Sequence, residues 1–265
     1  MVLNEKYSIS HSQIETFRNK GWIKLDKLLD AESVDFFRKE IADAVRRESK
    51  DVISLEKRDT YGKAFLQVFN LWRKSKIIEN FTKAKRFAGI AADLLGVENV
   101  RIYHDQALYK EAGGGRTPWH QDQYYWPIDT AKTVTMWMPL VDLTEDMGIL
   151  QFVDQSHKIE DFHDLQISDE SDQYFENYII EHLLNKSNIT ISNAGDASFH
   201  YGWTLHYAPE NRSDKLREVM TIIYVADGAS VITPKHEIQS NDLKTWMPGL
   251  KPGDFVNSPL NPIVL

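Results

Sequence analysis

Two stretches decide the fold class: Val100-Arg101-Ile102-Tyr103-His104-Asp105-Gln106-Ala107-Leu108-Tyr109-Lys110 and Thr133-Val134-Thr135-Met136-Trp137-Met138-Pro139-Leu140-Val141. Both are rich in Val, Ile, Thr and aromatic residues, which suit a pleated, half-buried surface. Ile149–Val153, Ile189–Ser192, Ala197–His200 and Val219–Ala226 read as further short strands. Upstream of Val100 the texture is helical. Ser10 to Gln13, followed by Ile14 and Phe17, reads as a capped helix start, with Gly21 as its stop. Trp22–Leu25 reads as a short strand. Asp30 can cap a helix to about Arg47 with Val34, Phe37, Ile41 and Val45 on one face. Ile77, Phe81, Ala84, Ala88, Ala91 and Leu95 are spaced as the face of one helix, closed by Gly96.

Many short strands with irregular connections predict a mainly β fold with flanking helices, a double-sheet jelly roll. No repeat or clean linker divides the chain, so residues 1–265 are expected to form a single domain. Residues 1–96 would be a helical flank, 97–226 the jelly-roll core and 227–265 a C-terminal cover. Within the core, 154–186 is a polar insertion, with a helix expected from Tyr174 to Leu184. It is far longer than an ordinary connection and is expected to border the active-site mouth as a lid.

Composition narrows the chemistry. The chain has 31 basic and 39 acidic residues, a net charge of −8, which disfavours a nucleic-acid or anionic-membrane partner. Cysteine is absent, so disulfides, thiolate nucleophiles and iron–sulfur clusters are excluded and any metal must use His and carboxylates. Met1 to Ser10 has no apolar signal core, no apolar run approaches a membrane span, and a cytoplasmic location is expected.

Of nine His, one lies in an H-x-D pattern: His120-Gln121-Asp122, within Trp119-His120-Gln121-Asp122-Gln123-Tyr124-Tyr125-Trp126-Pro127. On an extended segment residues two apart point to the same side, so His120 and Asp122 can occupy neighbouring positions on one metal ion. A third ligand must then come from another strand. Two His and one carboxylate on one face of the metal leave the other face open, the arrangement of non-haem Fe(II) oxygenases. Taken alone, the pattern more readily describes a surface His beside a solvated Asp. Downstream, His206 ends a strand pattern, and Arg217 follows eleven residues later at the start of the next apolar strand. A guanidinium binds a carboxylate bidentately, as a 2-oxo acid cosubstrate requires. Asn211 and Ser213 suit the turn between.

With Trp119-His120-Gln121-Asp122, the run from His206 to Arg217, and the block from Trp137 to Lys158, the sequence resembles the phytanoyl-CoA dioxygenase family of Fe(II)/2-oxoglutarate oxygenases. The resemblance covers roughly residues 12 to 226 and implies a double-stranded β-helix of cupin-like type. It implies Fe(II), 2-oxoglutarate and O2 as cofactor and cosubstrates, with His120, Asp122 and His206 as the catalytic iron ligands. By position Arg217 matches the partner of the far carboxylate of 2-oxoglutarate, and Trp137 and Gln106 match residues lining that site. Ala208 departs from the Ser many members carry, and Thr135 or Tyr109 could supply the missing hydrogen bond. Asp154-Gln155-Ser156-His157 replaces the usual Pro-Gly corner. Asp122 is intact, which argues against halogenation.

The expected reaction is hydroxylation of a small molecule with release of succinate and CO2, by a monomer or homodimer. The alternative is a cupin-like metal-dependent isomerase or lyase without oxygen chemistry. No basic cluster suits a CoA phosphate, which favours a small free metabolite as substrate. His104 is expected to be satisfied within its strand. One of Tyr124, Tyr125 and Trp126 is expected at the pocket mouth, and one of His200, Trp203 and Thr204 facing substrate. His157, His163, His182 and His236 lie in polar stretches and are expected to be solvated. Gly113–Gly115 lacks the following helix and Lys-Ser/Thr pair of a phosphate loop.

Overall fold

The computed structural model describes residues 2–50, 53–58, 60–159, 162, 165–188 and 193–265. The strands are β1 (Trp22–Leu25), β2 (Leu66–Phe69), β3 (Val100–Lys110), β4 (Thr117–His120), β5 (Thr133–Pro139), β6 (Gln151–Val153), β7 (Lys186–Asn188), β8 (Ala197–Tyr201), β9 (His206–Ala208) and β10 (Arg217–Ala226). The helices are α1 (His11–Lys20), α2 (Ala31–Glu48), α3 (Thr60–Ala64), α4 (Lys76–Thr82), α5 (Lys85–Leu95), α6 (Asp169–Glu181) and α7 (Glu237–Trp246). One sheet has six strands in the order β1-β8-β5-β10-β3-β2, the other four in the order β4-β9-β6-β7. All pairings within them are antiparallel. This is the jelly roll, and the helices do not displace the sheets from its core.

Period-2 alternation sorts the large sheet into two faces. On β5 and β10, Val134, Met136, Met138, Met220, Ile222 and Tyr224 pack under the helices. The intervening Thr135, Trp137, Arg217 and Thr221 point into a cavity on the other face. Covered on both faces, β5 and β10 are buried along their whole length. The helical layer forms as its local signals direct. The Ser10 hydroxyl accepts from the Gln13 N–H at 3.2 Å, and Gln13 returns a bond to the Ser10 N–H at 2.8 Å, a reciprocal cap. Gly21 ends α1 at φ +92°, in the left-handed region that glycine tolerates. Asp30 caps α2 through the Ser33 N–H at 2.7 Å. The α2 stripe of Val34, Phe37, Ile41 and Val45 is buried as its spacing predicts.

The single helix expected across Ile77–Leu95 is two, α4 and α5. The Thr82 hydroxyl, at the end of α4, donates to Asp105 at 2.7 Å, and Ala84 has an extended backbone. The apolar spacing of three and four residues runs straight across this break and so conceals it. Residues 1–96 also contain β2, an edge strand paired to β3. The helix expected at Tyr174–Leu184 starts earlier, at Asp169, behind a reciprocal Ser168–Ser171 cap. The expected strand at Ile189–Ser192 lies outside the described residues, and β7 occupies Lys186–Asn188. In the C-terminal stretch α7 forms, and Met247, Val256 and Leu260 are buried against the body. Among the described residues no helix is long and apolar enough to cross a membrane.

Candidate metal centre

β4 and β9 are paired so that His120 lies directly opposite His206, with a register irregularity between Thr117 and His120. Asp122 follows on the turn after β4. One ligand atom each from His120, Asp122 and His206 lies within 4.8 Å of the others. The Nε2 atoms of His120 and His206 are 3.6 and 3.7 Å from Asp122 Oδ1. Metal–ligand bonds of about 2.0–2.2 Å place neighbouring donors roughly 3 Å apart, so small side-chain adjustments close the set on one ion. The other imidazole nitrogens are committed to backbone carbonyls: His120 Nδ1 to Pro118 at 2.8 Å and His206 Nδ1 to Thr204 at 2.9 Å. That fixes the tautomer with each Nε2 free to ligate. The Thr135 hydroxyl donates to Asp122 Oδ2 at 2.9 Å, holding the carboxylate in place.

Electrostatics prepare the same centre. Burial, with the neighbouring His206, lowers His120 to a pKa of about 4. Burial likewise lowers His206 to about 4 against the pull of Asp122. Burial alone would raise the Asp122 carboxyl, but His206, His200 and His120 hold it well below the usual carboxylate range. Neutral imidazoles and an ionised carboxylate are the protonation state a divalent cation takes.

The triad opens into a cavity of about 180 Å³. At its inner end lies Arg217, 1% exposed. The guanidinium donates through Nη1 to the Gly148 carbonyl, while its Nε is buried without a hydrogen-bond partner. Among the described residues no carboxylate pairs with it. Burial pulls its pKa down to about 9. Its Cζ lies 5.5 Å from the centre of the Trp137 ring. Gly148 is at φ +74°, where a Cβ would strike the Pro209 carbonyl, so the turn that presents the Gly148 carbonyl needs glycine. Beside this end the buried Lys110 donates to the carbonyls of Gly115 at 2.5 Å and Pro209 at 3.0 Å. Burial and the Arg217 charge lower Lys110 to about 6. Buried Asn211 ties the turn to the Gly-rich loop, donating to the carbonyls of Lys110, Glu111 and Lys215.

A buried guanidinium without a counter-charge, with its Nε unsatisfied, fits an anionic ligand beside the metal. The O,N,N donor set with one open side fits a divalent iron. Of the residues singled out in the sequence, His120, Asp122, His206, Arg217, Trp137 and Gln106 all line this one cavity. Gln106 Oε1 accepts from Gln67 Nε2 at 2.5 Å. Of the two candidates to replace the missing Ser, Thr135 bonds Asp122, and Tyr109 faces away into the helix-packed core.

Among His200, Trp203 and Thr204, it is His200 that lines the cavity, with Nε2 3.4 Å from Asp122 Oδ2. Tyr125 and Trp126 line it as well. His104 departs from expectation: it faces the cavity, and its buried Nδ1 has no hydrogen-bond partner. His157 and His236 are part-exposed and stack on Tyr201 and Tyr124, His182 is exposed and stacks on Tyr178, and His163 lies outside the described residues. Phe65, Gln67, Phe69, Asp242 and Trp246 complete the wall and carry no motif in the sequence. The polar insertion reaches the cavity through Ile167, whose N–H donates to the Tyr125 hydroxyl at 3.2 Å. Asp172 and Glu176 of α6 bond the backbone and indole N–H groups of Trp119 at 2.8 and 3.0 Å.

The phytanoyl-CoA dioxygenase (PhyH) family profile matches residues 17–219, more than half of the chain. The chain belongs to that family. No curated protein sequence matches it. Among solved structures, this family member is similar to a non-heme alpha-ketoglutarate-dependent carbocyclase, SnoK from nogalamycin biosynthesis. The TM-score is 0.79 and the identity 23%, over 97% of each chain. It is similar to the epimerase SnoN, solved with Fe3+, alpha-ketoglutarate and nogalamycin RO. There the TM-score is 0.76 and the identity 24%, over 96% of this chain and 98% of that one. EctD from S. alaskensis, solved with 2-oxoglutarate and 5-hydroxyectoine, matches at a TM-score of 0.67 and 18% identity, over 88% of this chain and 83% of that one.

Proposed function

We propose that this PhyH-family chain is an Fe(II)/2-oxoglutarate-dependent dioxygenase that hydroxylates a small molecule. His120, Asp122 and His206 would hold the iron, and Arg217, with Trp137 and Gln106 beside it, would hold 2-oxoglutarate by its far carboxylate. When bound, iron and the 2-oxo acid supply the oxidising chemistry: substrate, 2-oxoglutarate and O2 become hydroxylated substrate, succinate and CO2. The chain's own part is positional. His120 and His206 are oriented by the Pro118 and Thr204 carbonyls, and Asp122 by Thr135. Arg217 orients the cosubstrate relative to the triad.

The observation that carries this reading is the buried, acid-free guanidinium of Arg217 in the same cavity as the triad. The test is succinate formation from 2-oxoglutarate that needs iron and O2 and is stimulated by substrate in a metabolite screen. A product heavier by one oxygen atom identifies hydroxylation. The SnoK and SnoN similarities favour a second reading, in which the same centre closes a ring or inverts a stereocentre. Those products gain no oxygen, so their mass separates the readings. A cupin-like isomerase or lyase would turn over without O2 and would leave 2-oxoglutarate intact.

The insertion is assigned the role of a wall at the mouth, through Ile167 and its bond to Tyr125. Shortening it is expected to uncouple the reaction, with 2-oxoglutarate consumed in excess of product. Unchanged coupling would remove it from the reaction.

A further inference from the structure

The end of the cavity away from Arg217 is built differently, and no part of the metal chemistry uses it. Its wall includes Phe69 from β2, His104 from β3, and Asp242 and Trp246 from α7. The rings of Phe69, His104 and Trp246 enclose a corner: Phe69 to Trp246 at 4.8 Å, His104 to Trp246 at 5.0 Å, Phe69 to His104 at 5.3 Å. Asp242 lies one helical turn before Trp246, so both project from one face of α7. The Tyr103 hydroxyl donates to its Oδ2, and the Trp246 indole N–H donates to the same carboxylate. Tyr103 reaches it because β3 and β10 carry a bulge there: Ile223 pairs with His104, Tyr224 pairs with Ile102, and Tyr103 is left out. A bulge re-aims a side chain in this way. Among the described residues Asp242 forms no ion pair.

We infer that this corner is a cation-binding subsite, and that the substrate carries a protonated amine or other organic cation held by the Asp242 carboxylate, with the rings of Trp246 and Phe69 lining the same corner. The inference rests on the oxygenase reading for the word substrate, while the binding itself needs only the corner. Two kinds of attraction converge on one spot. A carboxylate gives a charge-assisted hydrogen bond to an ammonium, and ring faces attract cations through their quadrupoles. Burial pushes the Asp242 carboxyl up to about 7 although Tyr103 and Trp246 donate to it, so its ionised form lacks the counter-charge that a bound cation would supply. His104 cannot serve as that cation, since burial lowers it to about 4.

The test uses benzylammonium and its uncharged counterpart benzyl alcohol as probes. Each is titrated into the full-length protein under anaerobic conditions, with and without iron and 2-oxoglutarate, and binding is read by calorimetry and by quenching of tryptophan fluorescence. Benzylammonium is expected to bind about tenfold tighter than the alcohol or better. Asp242→Asn, which keeps the shape, is expected to bring the two to parity with 2-oxoglutarate affinity unchanged. Trp246→Leu is expected to weaken the ammonium more than the alcohol. Equal affinities in the unaltered protein, or no ammonium binding at millimolar concentration, would overturn the inference, as would a preference that survives Asp242→Asn. 2-Oxoglutarate titrated into the same samples reports on the oxygenase reading separately.

Discussion

Arg217 and Asp242 are mirror images in charge. Arg217 starts β10, opposite Lys110 at the end of β3. Asp242 is bonded by Tyr103, at the bulge near the other end of the same pair of strands. Some six residues of β10 separate the two positions, about 20 Å at ~3.3 Å per residue. Arg217 is a buried cation with no acid, and Asp242 a carboxylate with no base. Had the two been neighbours, they would have paired and left nothing for a ligand. Held apart by rigid strands with the triad in the same cavity, each keeps an interaction in reserve. An anionic cosubstrate suits one end and a cationic substrate the other. An isolated buried charge therefore reads as a binding site where the fold itself denies it a partner.

The triad belongs to neither end, and its removal has the largest effect. His120→Ala, Asp122→Ala and His206→Ala are each expected to abolish succinate formation and stoichiometric iron binding while the fold persists by circular dichroism. Full activity in any of the three with iron still bound would remove that residue from the metal centre, and the comparison of the two ends would lose its midpoint.

Arg217→Ala comes next. A buried carboxylate losing its bidentate partner costs about 3 kcal/mol or more, so 2-oxoglutarate affinity is expected to fall over a hundredfold. Arg217→Lys should restore only part of this, because an ammonium lacks the planar fork. Benzylammonium binding should be untouched by either change, just as 2-oxoglutarate binding should be untouched by Asp242→Asn. That double dissociation, measured by anaerobic calorimetry, is the sharpest form of the comparison. Equal damage to both ligands from either variant would mean that the ends are coupled.

The two ends differ in how far the sequence reveals them. His120 and Asp122 are two residues apart, and Arg217 opens a strand whose apolar run reflects burial on both faces, so local pattern carries most of the inner end. The outer end is assembled from pieces with no local signature. β2 is a four-residue edge strand, too short to show a period. α7 is capped by His236 instead of Ser, Thr or Asp. Its buried contact is Gln239, which donates to the Tyr124 carbonyl at 3.0 Å, so the helix docks through a polar bond and lacks a clear apolar stripe. Pro234 ahead of it, Glu237 in its first turn and the Pro248-Gly249 stop were the available signals. The break between α4 and α5 was hidden for the opposite reason, an apolar period that continues through a non-helical residue.

A smaller effect is expected at Lys110, the buried lysine beside Arg217 whose charge burial disfavours. Lys110→Met leaves the Gly115 and Pro209 carbonyls without their donor. The expected loss is about 2–3 kcal/mol of folding stability, read by urea denaturation. 2-Oxoglutarate affinity should fall by about tenfold at most, because the loops flanking Arg217 loosen while the guanidinium itself remains. A fall as large as that of Arg217→Ala would mean that the anion is shared between Arg217 and a Lys110 that takes up a proton on binding.

The smallest effect belongs to Tyr103. Its hydroxyl holds one oxygen of Asp242, and its ring packs with Trp126 at 5.3 Å. Tyr103→Phe keeps the ring and removes only the donor. A single hydrogen bond to a carboxylate is worth about 1.5–3 kcal/mol at most, and the Trp246 donor to Asp242 remains. For benzylammonium the two consequences oppose each other. The freed carboxylate offers more of its charge to the cation but is less well oriented, and the net expectation is a weakening of no more than about threefold. Calorimetry on Tyr103→Phe beside Asp242→Asn decides what the tyrosine does. A loss equal to that of Asp242→Asn would make the hydroxyl the element that aims the carboxylate, and the bulge in β3 would then be as much a part of the subsite as the acid.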